Sequence, residues 1–334
     1  MTMLAAARRI GFRRWLETPI AGPLITLLAV LFLFSAFVPH FPTMRSMSGI
    51  VNAATMTGVL TIGVTLLMIA GEFDLSVGAL MAVGAFLYGA VTMNGGNPLL
   101  AVFLGLAVPG LLGAVNGLIL IRTGIPSFIV TLGTQFIYRG ALYVASGGIM
   151  LQTIVEAPVY KVFNGRLDRL AAAIEGANFQ TALLWLLGLV VLFELLLTRT
   201  RFGNHIFATG GHPDAATATG VNVKRTKLMG FILSGVLAGL AGIMLFSQYR
   251  TAKIATGSGE ELKAIAAAVV GGTLLTGGSG SIVGALIGVL TISMLRTGIV
   301  LLNLPFIPAD NFEAVVGVTI VAAAIFNNWI RGRS

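Results

Sequence analysis

Ten apolar runs, most of them near the length of a membrane crossing, constrain this chain more than any other feature. They lie at about 20–38, 50–70, 75–93, 98–121, 125–146, 182–198, 228–248, 264–277, 281–302 and 312–329. A helix needs about 20 mostly apolar residues to cross the hydrocarbon core of a bilayer. Inside that core every backbone polar group must be satisfied within the protein. The chain has 334 residues, of which 56% are hydrophobic and only 10% charged. The expectation is an all-α polytopic transmembrane helical bundle of about ten segments, a single domain over 1–334 with no soluble domain beside it. The run 264–277 is short for a crossing. The 43 glycines suit helices that approach closely. With no cysteine, disulfides and thiolate metal sites are excluded.

Basic residues orient the runs. Arg8, Arg9, Arg13 and Arg14 precede the first, and Arg331 and Arg333 follow the last. The loop 199–227 carries Arg199, Arg201, Lys224, Arg225 and Lys227. An even number of crossings, six of them before residue 199, puts all three clusters on one side. The positive-inside tendency makes that side, and both termini, cytoplasmic. The opposite side receives the long loop 147–181, of mixed charge. It also receives 249–263, with Arg250, Lys253, Glu260, Glu261 and Lys263. The net charge of +9 forms no continuous face, so it reads as anchoring to membrane lipid rather than nucleic-acid binding.

Two acids interrupt the apolar pattern. Residues 70–80 read Ala-Gly-Glu-Phe-Asp-Leu-Ser-Val-Gly-Ala-Leu, with Glu72 and Asp74 between Gly71 and Gly78. Carboxylates at or inside a membrane are costly and are usually functional. A polar kink between glycines suggests a broken or re-entrant element, which makes the chain a candidate transport subunit. Asp74 is placed to cap a helix starting at Leu75, to gate a pathway, or to touch cargo. Val77-Gly-Ala-Leu80 recurs as Val283-Gly-Ala-Leu286, and the same offset aligns Gly71 with Gly277. The two copies read as a faint parallel repeat. Asn116 and Gln135 are amides in apolar runs, suited to bonding either another helix or a cargo hydroxyl. Arg139 and Arg296 are expected to snorkel or to pair with a carboxylate.

In the loop 199–227, the stretch Asp214 to Thr219 predicts a short helix begun by Pro213 and ended by Gly220. So short a helix needs a partner surface, and its alanines would let it lie in a groove on another protein. His205 and His212, with no acid cluster beside them, make a poor metal site. No phosphate-binding Gly-x-x-x-x-Gly-Lys-Ser/Thr motif occurs, and the glycine-rich stretch 271–280 lacks its lysine.

Several motifs taken together resemble the ribose-type permeases of bacterial ABC importers. They are Asp74-Leu-Ser-Val-Gly78, Asn116-Gly117, Gly124-Ile-Pro126 through Thr134, Arg139-Gly140, Gly147-Gly148, the loop Gly211 to Lys224, Ser234 through Gly242, and Glu261 through Gly272 with Gly277-Gly278 and Gly280-Ser281. They cover about residues 45–325 in order. The resemblance implies a non-enzymatic permease subunit in the bacterial inner membrane, carrying a monosaccharide or related polyol. A periplasmic binding protein would deliver the cargo, and a second permease copy or paralogue would complete the pathway. An ATPase subunit would bind ATP and Mg, leaving no cofactor in this chain. Gly210, Gly211, Asp214, Ala215, Ala216, Gly220 and Lys224 are the candidate ATPase-coupling residues. Asn52, Asp74, Ser76, Asn116, Gln135 and Thr273 are candidates for the pathway or its gate. One departure stands out: Glu72 follows Gly71 where the family often has a second glycine. A branched-chain amino-acid or vitamin-type ABC permease has related architecture, and an ion-coupled secondary transporter is a further alternative. An intramembrane enzyme would need a catalytic constellation that Glu72, Asp74 and three loop histidines do not supply.

Overall fold

A computed structural model describes residues 20–302 together with 314, 317, 318 and 321. All of the expected span 312–329 except 314, 317, 318 and 321, and the arginines near both termini, lie outside the described residues. The first half consists of α1 (Ala21–Phe37), α2 (Met44–Ile69), α3 (Val77–Met93), α4 (Pro98–Thr123) and α5 (Ser127–Ser146). Then come β1 (Leu151–Gln152), α6 (Pro158–Asn164), α7 (Asp168–Ala173), α8 (Ala182–Arg199), α9 (Arg201–Gly211) and α10 (Pro213–Ala218). The chain continues through α11 (Val223–Tyr249), β2 (Thr251–Ala252), α12 (Glu260–Val270) and α13 (Ile282–Leu302).

Local chemistry sets the helix ends. Thr43 and Asn97 accept backbone N–H bonds at the starts of α2 and α4, and Pro98 occupies the first turn of α4. Glu194, an acid inside the apolar α8, accepts the backbone N–H groups of Ile282 and Val283 at 2.8 and 3.2 Å. A carboxylate at a helix start meets unpaired donors and the positive end of the helix dipole. The acid in that span therefore anchors the first turn of α13.

The buried centre is α11, which packs on α2, α3 and α4. The approach is close enough to need glycine. A Cβ on Gly239 would lie 2.3 Å from the Gly105 carbonyl oxygen of α4. Without a hydrophobic drive between helices in lipid, such close van der Waals contact is what holds them together.

Five described helices are long and apolar enough to cross a membrane: α2, α4, α8, α11 and α13. Helices α1 and α3 are apolar but only 17 residues each. Helix length alone therefore does not give ten crossings. The run 264–277 is resolved differently from a span: α12 has 11 residues, about 16 Å of rise, roughly half a bilayer. A glycine-rich turn from Gly271 to Ser281 then leads into α13. The loop 147–181 is also more ordered than its sequence suggests. β1 pairs antiparallel with β2, and Tyr160 is buried, with its hydroxyl donating to Thr92 Oγ1 at 3.0 Å.

The repeat has a physical counterpart. Gly71 and Gly277 both adopt left-handed backbone, with φ of 82° and 84°. They meet in space: a Cβ on Gly277 would lie 2.9 Å from the Gly71 Cα. The turn after α2 and the turn after α12 thus pack against each other at their equivalent residues.

Candidate functional site

Asp74 sits in the turn between α2 and α3, fully buried. Its Oδ1 accepts from the Ser76 backbone N–H at 2.9 Å and from the Ser76 hydroxyl at 2.6 Å. Its Oδ2 accepts from Ser234 Oγ of α11 at 3.0 Å. Asn116 of α4 donates from Nδ2 to Ser76 Oγ at 2.8 Å, and its Oδ1 accepts from the Tyr138 hydroxyl of α5 at 2.7 Å. Two further α5 hydroxyls hold the same turn: Ser127 Oγ accepts from the Phe73 N–H and Thr131 Oγ1 from the Leu75 N–H. Helix α3 starts at Val77, two residues later than the expected Leu75, and the Asp74 carboxylate bonds the turn rather than the helix's own first turn. The arrangement ties α3, α4, α5 and α11 to one carboxylate with both oxygens satisfied, the condition under which a buried charge is tolerated.

The remaining pathway candidates lie apart from this network. Asn52, at the far end of α2, donates to the Asn178 carbonyl at 2.6 Å and accepts from the Gln180 N–H at 3.3 Å, fastening the loop before α8. Thr273 is buried in the turn after α12. Gln135 donates from Nε2 to Glu261 Oε1 at 3.2 Å. Its neighbours form a second polar group. Arg139, one turn further along α5, donates from Nη1 to the carbonyls of Ile254 and Thr256. Glu260 accepts from Thr57 Oγ1 at 2.7 Å and from Lys263 Nζ at 2.9 Å.

Thr57 lies midway along α2, so the start of α12 sits at mid-depth of the bundle. The expectation that Glu260, Glu261 and Lys263 belong to an outer loop is therefore corrected. The signal available in the sequence was the shortness of the 264–277 run, which left room for the preceding segment to re-enter.

The coupling candidates divide by exposure. The short helix expected between Pro213 and Gly220 is α10, and Gly220 follows it with φ of 89°. Asp214 and Ala215 are exposed on it, as are the flanking Gly211, Gly220 and Lys224. Ala216 is only 4% exposed and reaches the surface only where it lines the groove beside α10, and Gly210 is buried. Gly210 instead lies against the Ile69 carbonyl and the Gly277–Gly278 turn. Helix α9, read from sequence as part of a loop, carries the wall beside α10. Phe207, Ala208, His212 and Thr219 line a shallow groove there together with Ala215. Glu72, the family departure, forms an ion pair with Lys227 near the start of α11. That contact braces the turn against α11. Among the described residues no group of three or more acids and histidines is placed to hold a metal.

Crossing helices, a discontinuous half-helix and charged groups buried at mid-depth define a polytopic membrane protein of the transport class. The family model for branched-chain amino acid transport system permease components matches residues 46–324, and the chain belongs to that family of ABC importer permeases. Among its relatives is the ribose import permease protein RbsC of Escherichia coli K12, 32% identical over 326 residues and covering 97% of both chains. RbsC of Bacillus subtilis is 34% identical over 92% of each chain. The fructose import permease protein FrcC of Rhizobium meliloti is 32% identical over 94% of this chain and 87% of its own. No solved structure matches the chain. The chain is thus a permease component, the transporting rather than the ATP-hydrolysing part of an importer. Such components work with an ATPase and a substrate-binding protein.

Proposed function

We propose that this chain forms the membrane conduit for a monosaccharide or related polyol, in the bacterial inner membrane with both termini in the cytoplasm. Near full-length similarity to import permeases for ribose and fructose carries the choice of cargo class. The ATPase docks on the exposed face of α10, reaching Asp214 and Ala215 and the groove beside them, with Gly211, Gly220 and Lys224 at its edge. ATP and Mg stay with that partner. The binding protein delivers cargo on the side of loop 147–181, and a second permease, a copy or a paralogue, completes the pathway.

High-affinity capture of the cargo is proposed to reside in the binding protein. Tight sugar sites combine several converging polar groups with aromatic or apolar walls. Here Asp74, Ser76 and Asn116 are buried and bound to one another and to neighbouring helices. Titration calorimetry on the partner binding protein, and on the permease alone, tests the reading. Micromolar sugar binding by the former and none tighter than about millimolar by the latter is expected, some −4 kcal/mol or weaker. Branched-chain amino acids binding instead would overturn the sugar assignment.

A further inference from the structure

Arg139 and Glu261 each keep one hydrogen-bonding atom unused inside the bundle. Arg139 Nη1 is occupied by the carbonyls of Ile254 and Thr256, but Nη2 is buried with no partner. Glu261 is 8% exposed; its Oε1 accepts from Gln135 and from the Gly259 N–H, while Oε2 is buried with no partner. An unmet buried polar atom costs about 1–3 kcal/mol, and more when charged. The Glu261 charge acts on Arg139, yet the two are not among the ion pairs of the described residues. A donor on a cation and an acceptor on an anion thus stand unmet at mid-depth, where polar groups carry function by default.

The third wall is Gly78 of α3. A Cβ there would lie 2.4 Å from Glu261 Oε2 and 2.3 Å from the Gly257 carbonyl oxygen. The backbone at Gly257 therefore lies directly on α3 beside Glu261 Oε2. A hydroxyl accepts one hydrogen bond and donates another, so cargo hydroxyls supply both the acceptor that Arg139 Nη2 lacks and the donor that Glu261 Oε2 lacks. Gln135, one turn from Arg139 on the same face of α5, offers an amide to a neighbouring hydroxyl. An amino-acid zwitterion would also satisfy these two atoms, its carboxylate on Arg139 and its ammonium on Glu261; the choice of hydroxyls follows the similarity to ribose and fructose permeases.

We propose that Gln135, Arg139 and Glu261 form a transit site for the hydroxyls of a sugar or polyol, closed in this conformation by segment 253–259 and opened when that segment leaves Gly78. The inference rests on the importer reading above. It agrees with weak binding by the isolated permease, since the recognising atoms are shielded until the partners act.

The test uses the full importer in vesicles, with ATPase and binding protein, and a labelled panel of pentoses, hexoses, their polyols and monodeoxy analogues. Rates are compared at equal occupancy of the binding protein. On the parental chain at least one monodeoxy analogue of the carried sugar should move five-fold or more slower than that sugar. In Glu261→Gln and Arg139→Lys, with complex assembly unchanged by size-exclusion chromatography, uptake should fall ten-fold or more and the analogue difference should shrink toward one. Parental rates that follow binding-protein occupancy alone overturn the site, whatever the variants do. So do variants that lose uptake in step with assembly while keeping the analogue difference, the result expected if water fills the position. A parental importer that moves no sugar or polyol removes the importer reading itself, and the site with it.

Discussion

Asp74 accepts from Ser76 and Ser234, and through Ser76 it reaches Asn116 and Tyr138. Replacing it with alanine leaves buried donors unmet, a cost of about 3 kcal/mol. Asparagine keeps an oxygen for Ser76, and its amide can donate to the Ser234 hydroxyl, so about 1 kcal/mol is expected. Thermal unfolding in detergent should rank parental above Asp74→Asn above Asp74→Ala, with transport following the same order. Equal, severe loss in both would show that the charge itself is required. Glu72 and Lys227 form a less shielded pair, with side chains 10% and 21% exposed. Glu72→Gln and Lys227→Met should each cost about 1 kcal/mol, and the double variant no more than one of them. Additive losses would mean the pair contributes nothing. The sequence marked Asp74 through the cost of a carboxylate near a membrane. It held Ser127, Thr131 and Ser234 only as members of longer motifs and gave them no site role, because hydroxyls are cheap in apolar helices and their partners are distant in the chain. Glu261 was misplaced for a related reason: charge density reads as solvent when depth is unknown.

At the scale of elements, the informative pieces are the short ones. Pro213 and Gly220 made α10 legible, and glycine bounds made the repeat visible. Helix α9 was not legible, since Gly203, Gly210 and Gly211 argue against a helix that packing then imposes. Exposure on α10 sharpens the coupling expectation. Ala215→Trp should leave the chain folded and membrane-inserted while uncoupling ATP hydrolysis from uptake. Ala216→Trp should lower the folded yield as well, because that side chain is 4% exposed. Normal transport by Ala215→Trp would remove α10 from the coupling role. Two glycines nearby should behave differently under alanine substitution. A Cβ on Gly210 would fall 1.8 Å from the Ile69 carbonyl oxygen, whereas one on Gly220 meets nothing within 4 Å and only the positive φ resists it. Gly210→Ala should cost about 3 kcal/mol or more and Gly220→Ala about 1 kcal/mol, read by thermal unfolding.

For the whole molecule, composition and run lengths were enough to give an all-α membrane bundle, and most helix positions fell close to the apolar runs. What periodicity could not supply was depth. The half-helix α12 and the re-entrant 253–259 segment follow from how α2, α3 and α5 surround them, and no local pattern encodes that. The resulting picture is a conduit with most of its polar groups tied between helices, a shielded charged group midway, and a small exposed helix for a partner. Its central claim is that transport is driven by a partner's ATP through this chain. The most direct measurement is uptake of the labelled cargo into vesicles holding the permease and its ATPase, with binding protein outside, before and after the internal ATP is consumed. The account predicts uptake that stops with ATP and needs the binding protein; uptake that continues without ATP, driven by an ion gradient, would contradict it.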